Sequence, residues 1–335
     1  MRWQLFLACA FTVGIYHTAS GQIYEVGDRV MVKRWYVNLA EDGKDLNTRV
    51  QLGDIFKVSK VEGHALWVGA GWIQDEDVVS VDEAINFFSK RIKKSPFDSS
   101  CYHNRALAYL SLEQFDNARI DEEVAIGLSP NPAYYNTLGT IWEAKKDYDR
   151  AIAAFDEAIR LYPLDPTPYQ NRGKAWSRKE EYDKAIADFS ESMRLDPKYT
   201  FSIHERGFAW AIIGRYDKAI ADFNTAIQID SKDSASYSGL AWIWATCPDK
   251  KYRDGARAVE FATKACEIDN WQFANRLDTL AAAYAEQGDF ESAVKWETKA
   301  TEMKLPEWTY KTPEDLEKRL EIFKAGKPFR DEPKQ

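Results

Sequence analysis

Residues of the kinds that do chemistry are sparse in this 335-residue chain, and none are spaced to act together. Beyond residue 21 the cysteines are Cys101, Cys247 and Cys266, and the histidines are His64, His103 and His204. A reactive thiolate needs a cation, a base or a helix N-terminus beside it, and a zinc site needs Cys or His ligands at short spacing. Neither CxxC nor HExxH occurs. An odd cysteine count without framework spacing argues against stapling. Cys247 at the turn end of one hairpin and Cys266 about two turns into the next helix are too far apart for a bridge and read as free, buried thiols. There is no Gly-rich phosphate loop and no nucleophile elbow. These absences point to a protein that is not an enzyme and has no cofactor or metal site.

One polar pattern does recur. Arg105, Arg172 and Arg206 are each followed, sixteen residues on, by Asp121, Asp188 and Asp222. Where the arginine is replaced by Leu138, Leu240 or Leu280, the partner becomes Ala154, Phe261 or Trp296. A buried charge needs its counter-charge, so the covariation predicts three structural Arg–Asp bridges across a helical hairpin.

The elements that would hold these pairs repeat. YDKAIADF occurs at Tyr182 to Phe189 and again at Tyr216 to Phe223. Its alanine aligns with Ala84, Ala118, Ala151, Ala185, Ala219, Ala258 and Ala293, at spacings of 34, 33, 34, 34, 39 and 35 residues. Nine residues before that alanine stand Tyr109, Trp142, Trp176 and Trp210, and the aromatics continue at Trp244 and Tyr284. Small residues fall between, at Gly139, Gly173, Gly207, Ala241 and Ala281, and Pro130, Pro163 and Pro197 end the units. Each unit reads as helix, turn, helix. The tryptophans suit packing between the two helices better than sugar stacking. CPDKKYRDG lengthens one turn by five residues.

This combination resembles the tetratricopeptide repeat family over roughly residues 99–305. The resemblance implies an all-α solenoid, a right-handed superhelix, built because helices of ~12 to 15 residues are marginal alone and stacked hairpins cover one another. It implies a peptide groove lined by the first helix of each unit. Carried over position by position, that groove consists of Asn136, Thr140 and Glu143, then Gln170, Lys174 and Arg178, then His204, Phe208 and Ala211, then Ser238 and Trp242. The paired Lys and Asn clamp for C-terminal carboxylates is not reproduced, and the same positions also suit an ordinary solvated helix face.

The ends differ from the middle. Ser80 and Glu83 form a capping-box pattern ahead of Ala84, Phe87, Phe88 and Ile92. Thr312, Pro313 and Asp315 start a last helix with Leu316, Leu320 and Phe323 on one stripe and Gly326 at its stop. Residues 22–80 alternate as DRVMVKRW, DIFKVSKV, HALWVG and GWIQ. The Trp67 strand, Gly71-Trp72 and the Asp75-Glu76-Asp77-Val78 turn resemble a bacterial SH3-like domain. Its first long loop would be VNLAEDGKDLN, which lacks the tyrosines of a proline-peptide groove. Val78 and Val79 run into the Ser80 cap without a linker, so the barrel is expected to dock on the first helices.

Arg2, the apolar run Leu5 to Tyr16 and Ala19-Ser20-Gly21 read as a signal peptide cleaved before Gln22, with an uncleaved anchor as the alternative. The expected organisation is a signal at 1–21, a small SH3-like β-barrel at 22–80, a connecting and capping helix at 81–98, about five repeats at 99–305, and a capping helix and tail at 306–335. The formal charge is −8, which disfavours nucleic acid, and no stretch beyond the signal has the apolar length of a membrane span. The function expected is a secreted or periplasmic scaffold that binds protein or peptide partners through the concave repeat groove. The alternative is attachment to the cell envelope, through peptidoglycan or a wall peptide held by the SH3-like domain.

Overall fold

A computed structural model describes residues 27–32, 36–41, 44–51, 55–62, 65–68, 72–74, 78–305 and 312–334. The expected signal peptide, Gly71 and the Asp75-Glu76-Asp77 turn lie outside these residues. The chain divides into two compact units, Met1–Lys146 and Asp147–Gln335.

In the first unit, β1 (Arg29–Val32) pairs antiparallel with β4 (Ile55–Lys57) on one side and β8 (Val78–Ser80) on the other, so that Met31 stands opposite both Ile55 and Val79. A second antiparallel sheet runs β3 (Lys44–Gln51), β2 (Tyr36–Glu41), β7 (Trp72–Gln74), β6 (Ala65–Trp67), β5 (Lys60–Glu62). Of the stretch VNLAEDGKDLN, expected as a long loop, the described residues 37–41 and 44–47 instead belong to the paired strands β2 and β3, with Asn38 opposite Arg49 and an irregularity before Ala40. The reason is visible in the sequence: Asp42-Gly43 is a strong two-residue hairpin signal between alternating flanks.

Four helices follow in this unit: α1 (Val81–Lys94), α2 (Ser99–Ser111), α3 (Phe115–Leu128) and α4 (Pro132–Ala144). Ser80 accepts from the Glu83 N–H, Asp98 from Ser100 and Asn131 from Ala133, which fixes where three of them begin. Met31 and Val79 share a buried cluster with Ala84, Phe88 and Ala108, so the β1/β8 pair packs on α1 and α2.

The second unit holds α5 (Tyr148–Leu161), α6 (Pro166–Arg178), α7 (Tyr182–Leu195), α8 (Thr200–Ile212), α9 (Tyr216–Ile229), α10 (Ser234–Thr246), α11 (Gly255–Ile268), α12 (Ala274–Gln287), α13 (Phe290–Thr301) and α14 (Pro313–Lys324). The seven aligned alanines are all fully buried. Their small size lets paired helices approach, and the aromatic four residues on fills the gap: Phe155, Phe189 and Phe223 are fully buried. Phe223 lies between Gly207 and Gly239, where a Cβ would stand 2.8 and 2.4 Å from its ring.

In four of the hairpins the turn is closed by one hydrogen bond of the same kind. The N–H of Gln114, Glu181, Arg215 and Asp289 donates to the carbonyl of Tyr109, Trp176, Trp210 and Tyr284, five residues back in each case. In the lengthened unit the N–H of Asp254 reaches the carbonyl of Trp244, ten residues back. The five extra residues are looped out beside a short 3-10 turn at Lys250–Tyr252, and the closing bond is kept. The insertion therefore leaves the helix pairing of α10 with α11 unchanged in kind.

At the end of the chain Thr312 and Asp315 form a reciprocal capping box, and Gly326 adopts φ +67° just past α14. Leu316 and Phe323 of α14 are buried in the cluster formed by α10 to α13.

Candidate functional site

The predicted Arg–Asp bridges are present, and each is bidentate. Arg105 Nε and Nη2 donate to Asp121 at 2.6 and 2.7 Å. Arg172 reaches Asp188 at 2.8 and 2.6 Å, and Arg206 reaches Asp222 at 2.8 and 2.7 Å. The remaining guanidinium nitrogen of each reaches sixteen residues upstream, to Ser89, Asp156 and Ser190. Each arginine thus ties the second helix of its own hairpin to the helix sixteen residues before it. Burial works against the Arg172 charge, but Asp188 and Asp156 outweigh it and hold its pKa above the ordinary value. Planar two-point pairs of this kind fix orientation as well as distance, so the first helices are held on a stiff frame.

On that frame the predicted groove residues divide by environment. In the first unit Asn136, Thr140 and Glu143 are half-buried on α4, and the Thr140 hydroxyl donates to the Asn136 carbonyl. In the second unit Gln170, His204 and Ser238 are buried, while Lys174, Arg178, Phe208, Ala211 and Trp242 are half-buried. Ser238 donates to Thr279 at 3.2 Å. His204 Nδ1 lies 3.1 Å from Asp233, whose carboxylate also accepts from the Ser236 hydroxyl at 2.6 Å.

Lys174 and His204 are joined through Phe201, a residue outside the repeat pattern, and His204 in turn lies 6.2 Å from Phe208. Lys174 Nζ lies 6.0 Å from the centre of the Phe201 ring, Phe201 lies 5.0 Å from His204, and Phe208 meets Phe223 edge-on at 4.9 Å. Phe201 has Thr167 and Ala235 at the matching positions, so periodicity carries no signal for it. His103 is a second omission: it falls at the repeat position of Asn136, Gln170, His204 and Ser238, and its Nδ1 lies 2.8 Å from the fully buried Glu122.

Trp242 is engaged by the chain itself. Its indole N–H donates to Asp331 at 2.6 Å, and its ring lies 6.0 Å from Phe329. In the tryptophan ladder Trp142, Trp176 and Trp210 are half-buried under cations, Arg119 and Lys145 over the first, Lys184 over the second and Lys218 over the third, and the buried Trp244 lies under Arg257. The ladder is a packing feature with its outer faces covered.

The thiols are poor nucleophiles. Cys101, Cys247 and Cys266 are free and buried, and burial pushes Cys266 up to about 12. What the surface offers is aromatic faces, lysine and arginine heads and helix-end carbonyls, which is recognition chemistry.

The Asp233 network carries a pH dependence. Burial acts to raise its pKa, but the bonds from His204 and Ser236 prevail and hold it below the ordinary 3.8. The folded state therefore binds this proton less readily than the unfolded state, and the resulting stability is complete above pH 3.8 and is lost as pH falls toward the folded value. Asp233→Asn is expected to lose about 1 kcal/mol near neutral pH and to flatten the acid limb of stability against pH. An unchanged acid limb in urea titrations would remove the network from this role.

Residues 132–165 match one model of the tetratricopeptide repeat, and residues 99–132, 166–199 and 211–233 match a second. Over 79 residues the chain is 33% identical to Hsp70-Hsp90 organizing protein 3 of Arabidopsis thaliana, covering 23% of this chain and 14% of that protein. The chain thus spans a small part of the length of that curated relative. Among solved structures, the APC/C hetero-tetramer Cut9-Hcn1 aligns with a TM-score of 0.59 at 16% identity, over 72% of this chain and 46% of that one. A tetratricopeptide repeat protein from Parabacteroides merdae aligns with a TM-score of 0.53 at 14% identity, over 73% and 92%. The chain carries tetratricopeptide repeats, and its helical part is a solenoid of that fold with fourteen helices among the described residues. Among those residues no helix is long and apolar enough to cross a membrane.

Proposed function

We propose that this protein is a non-enzymatic interaction scaffold that binds protein or peptide partners on the first-helix face of its repeats and works outside the cytoplasm. Tetratricopeptide repeats mediate protein–protein interaction, and a relative of the matched segment is by name an organizing protein for Hsp70 and Hsp90. The observation that carries the reading is the patch of Lys174, Phe201, His204 and Phe208 held on α6 and α8 by bidentate arginine bridges. A preformed surface loses little freedom on binding, so modest contacts suffice. The extracytoplasmic location rests on the signal-like sequence of residues 1–21.

The test is retention of proteins from an extracytoplasmic extract by residues 22–335, beside the same chain carrying Lys174→Glu and Arg178→Glu. A partner lost only from the altered chain, with thermal stability unchanged, is the expected result. Equal retention by both chains would take the function away from this face.

The eight short antiparallel strands between Arg29 and Ser80 favour reading this region as the SH3-like domain, and with it a second reading, envelope attachment. Co-sedimentation of the full mature chain with purified wall material, abolished by substitutions in the strands, would support it. A chain that stays in the supernatant would remove it.

A further inference from the structure

Beyond α14 residues 327–334 form neither helix nor strand and run back across the C-terminal ends of α10 and α8. The N–H of Asp331 donates to the Thr246 carbonyl at 3.0 Å, and the N–H of Lys334 donates to the Ile212 carbonyl at 2.8 Å. Thr246 and Ile212 are the last residues of α10 and α8 and stand 34 residues apart, at one and the same repeat position. The two donors are three residues apart, and three extended residues span ~10 Å, about the distance between packed helices. The tail is therefore read in steps of one repeat per three residues.

Side chains reinforce the same register. Phe329 lies against Trp242, and Asp331 accepts from the indole N–H. Arg330 pairs with Glu286 at 2.6 Å and reaches the Ala245 carbonyl at 3.3 Å. Lys334 pairs with Glu180, two residues past the end of α6. The acceptors belong to the strip: last-turn carbonyls that their own helices leave unsatisfied, at the negative end of each dipole, and two carboxylates. Pro328, Phe329 and Arg330 are half-buried, while Lys327 and Asp331 to Lys334 are exposed, so no residue of the tail is fully buried and the tail lies over the strip as a surface segment.

We propose that the strip formed by Trp242, Glu286, Glu180 and the terminal carbonyls of α8 and α10 is a docking surface for an extended partner segment. That segment carries an aromatic residue, an arginine and an aspartate in succession and a lysine three residues on. Residues 327–334 occupy the strip in place of such a segment and compete with it. The inference rests on the scaffold reading and adds to it the register of the ligand and a resident competitor.

The test uses the full chain with Phe329→Ala and Arg330→Glu, and a fluorescein-labelled peptide of residues 327–334 as the probe. The altered chain is expected to show faster amide exchange over 327–334 and to bind the peptide at least about tenfold tighter than the unaltered chain. Adding Trp242→Phe, which keeps a ring and removes the N–H, is expected to weaken the peptide about tenfold. Equal affinity of the two chains, or no binding once exchange shows the tail released, overturns the proposal; so does exchange that the tail substitutions leave unmoved. If the peptide fails while the Lys174 and Arg178 variant still loses a partner, this inference falls and the scaffold reading stands. If the peptide binds and that variant loses nothing, the strip survives and the patch on α6 and α8 does not.

Discussion

Replacing Arg319 by alanine is expected to lower the stability of the C-terminal repeats by about 3 to 5 kcal/mol. Arg319 is buried on α14, with Nε 2.5 Å from Asp278 of α12 and 3.7 Å from Glu297 of α13, and both carboxylates are fully buried. The guanidinium lies 5.6 Å from the Trp242 ring centre and 5.5 Å from that of Phe329. Truncation removes the cation that these two fully buried carboxylates share, and a buried charge that loses its counter-charge is costly. The burial that opposes the charge on Arg319 is outweighed by Asp278 and Glu297, which hold its pKa above the ordinary value.

The prediction separates charge burial from packing through a second variant. Arg319→Met with Asp278→Leu and Glu297→Leu removes all three charges at similar volume, and such replacements are often neutral or stabilising. The triple variant is therefore expected to regain most of the loss. Because repeat arrays are stabilised by neighbouring contacts, the effect should be read by amide exchange in α12 to α14 as well as by the urea midpoint. A triple variant as unstable as Arg319→Ala would mean that the cluster acts by geometry and not by charge compensation.

How much of this was legible in the sequence depends on whether a feature repeats. The Asp121, Asp188 and Asp222 bridges were legible because the repeats vary against one another, so loss of arginine and loss of aspartate coincide. Their upstream contacts were not, since the positions of Ser89, Asp156 and Ser190 carry no constant residue type. The turns were legible as turns but not as left-handed ones: Glu113, Lys146 and Glu180 adopt positive φ at the position where Gly214 and Gly288 also stand. Only the glycines announce that conformation in the sequence.

The groove positions were carried over from the repeat, but their exposure was not. Gln170, His204 and Ser238 are buried, His204 against Asp233 and Ser238 against Thr279, and Trp242 is met by a tail with no periodicity of its own. Arg319, Asp278 and Glu297 lie on three helices separated by 19 to 41 residues and belong to no motif. Single-copy contacts of this kind are set by how the final layers close, and a pattern search has nothing to count.

Gly239→Ala offers the sharper decision between local and tertiary forces. In the interior of a helix alanine is favoured over glycine by about 1 kcal/mol, so propensity alone calls the change stabilising. Packing calls it the other way. A Cβ at Gly239 would lie 2.4 to 2.7 Å from three ring atoms of Phe223, well inside contact distance. The ring has no room to retreat, because Phe223 is fully buried and the space behind it is bounded by Gly207, whose own Cβ would stand 2.8 Å away. Overpacking of this kind costs about 1 to 3 kcal/mol, and with a fully buried ring already close to Gly207 the upper part of that range applies. A net loss of about 2 kcal/mol is expected, visible as a lower urea midpoint for the second unit. Phe223→Leu in the same chain shortens the side chain that the new methyl strikes, so the two changes should couple favourably by about 0.5 to 3 kcal/mol in a double-mutant cycle. A stabilised Gly239→Ala chain, or strict additivity with Phe223→Leu, would show that the α8, α9 and α10 layer yields to a methyl group and that the glycines are not there to admit the ring.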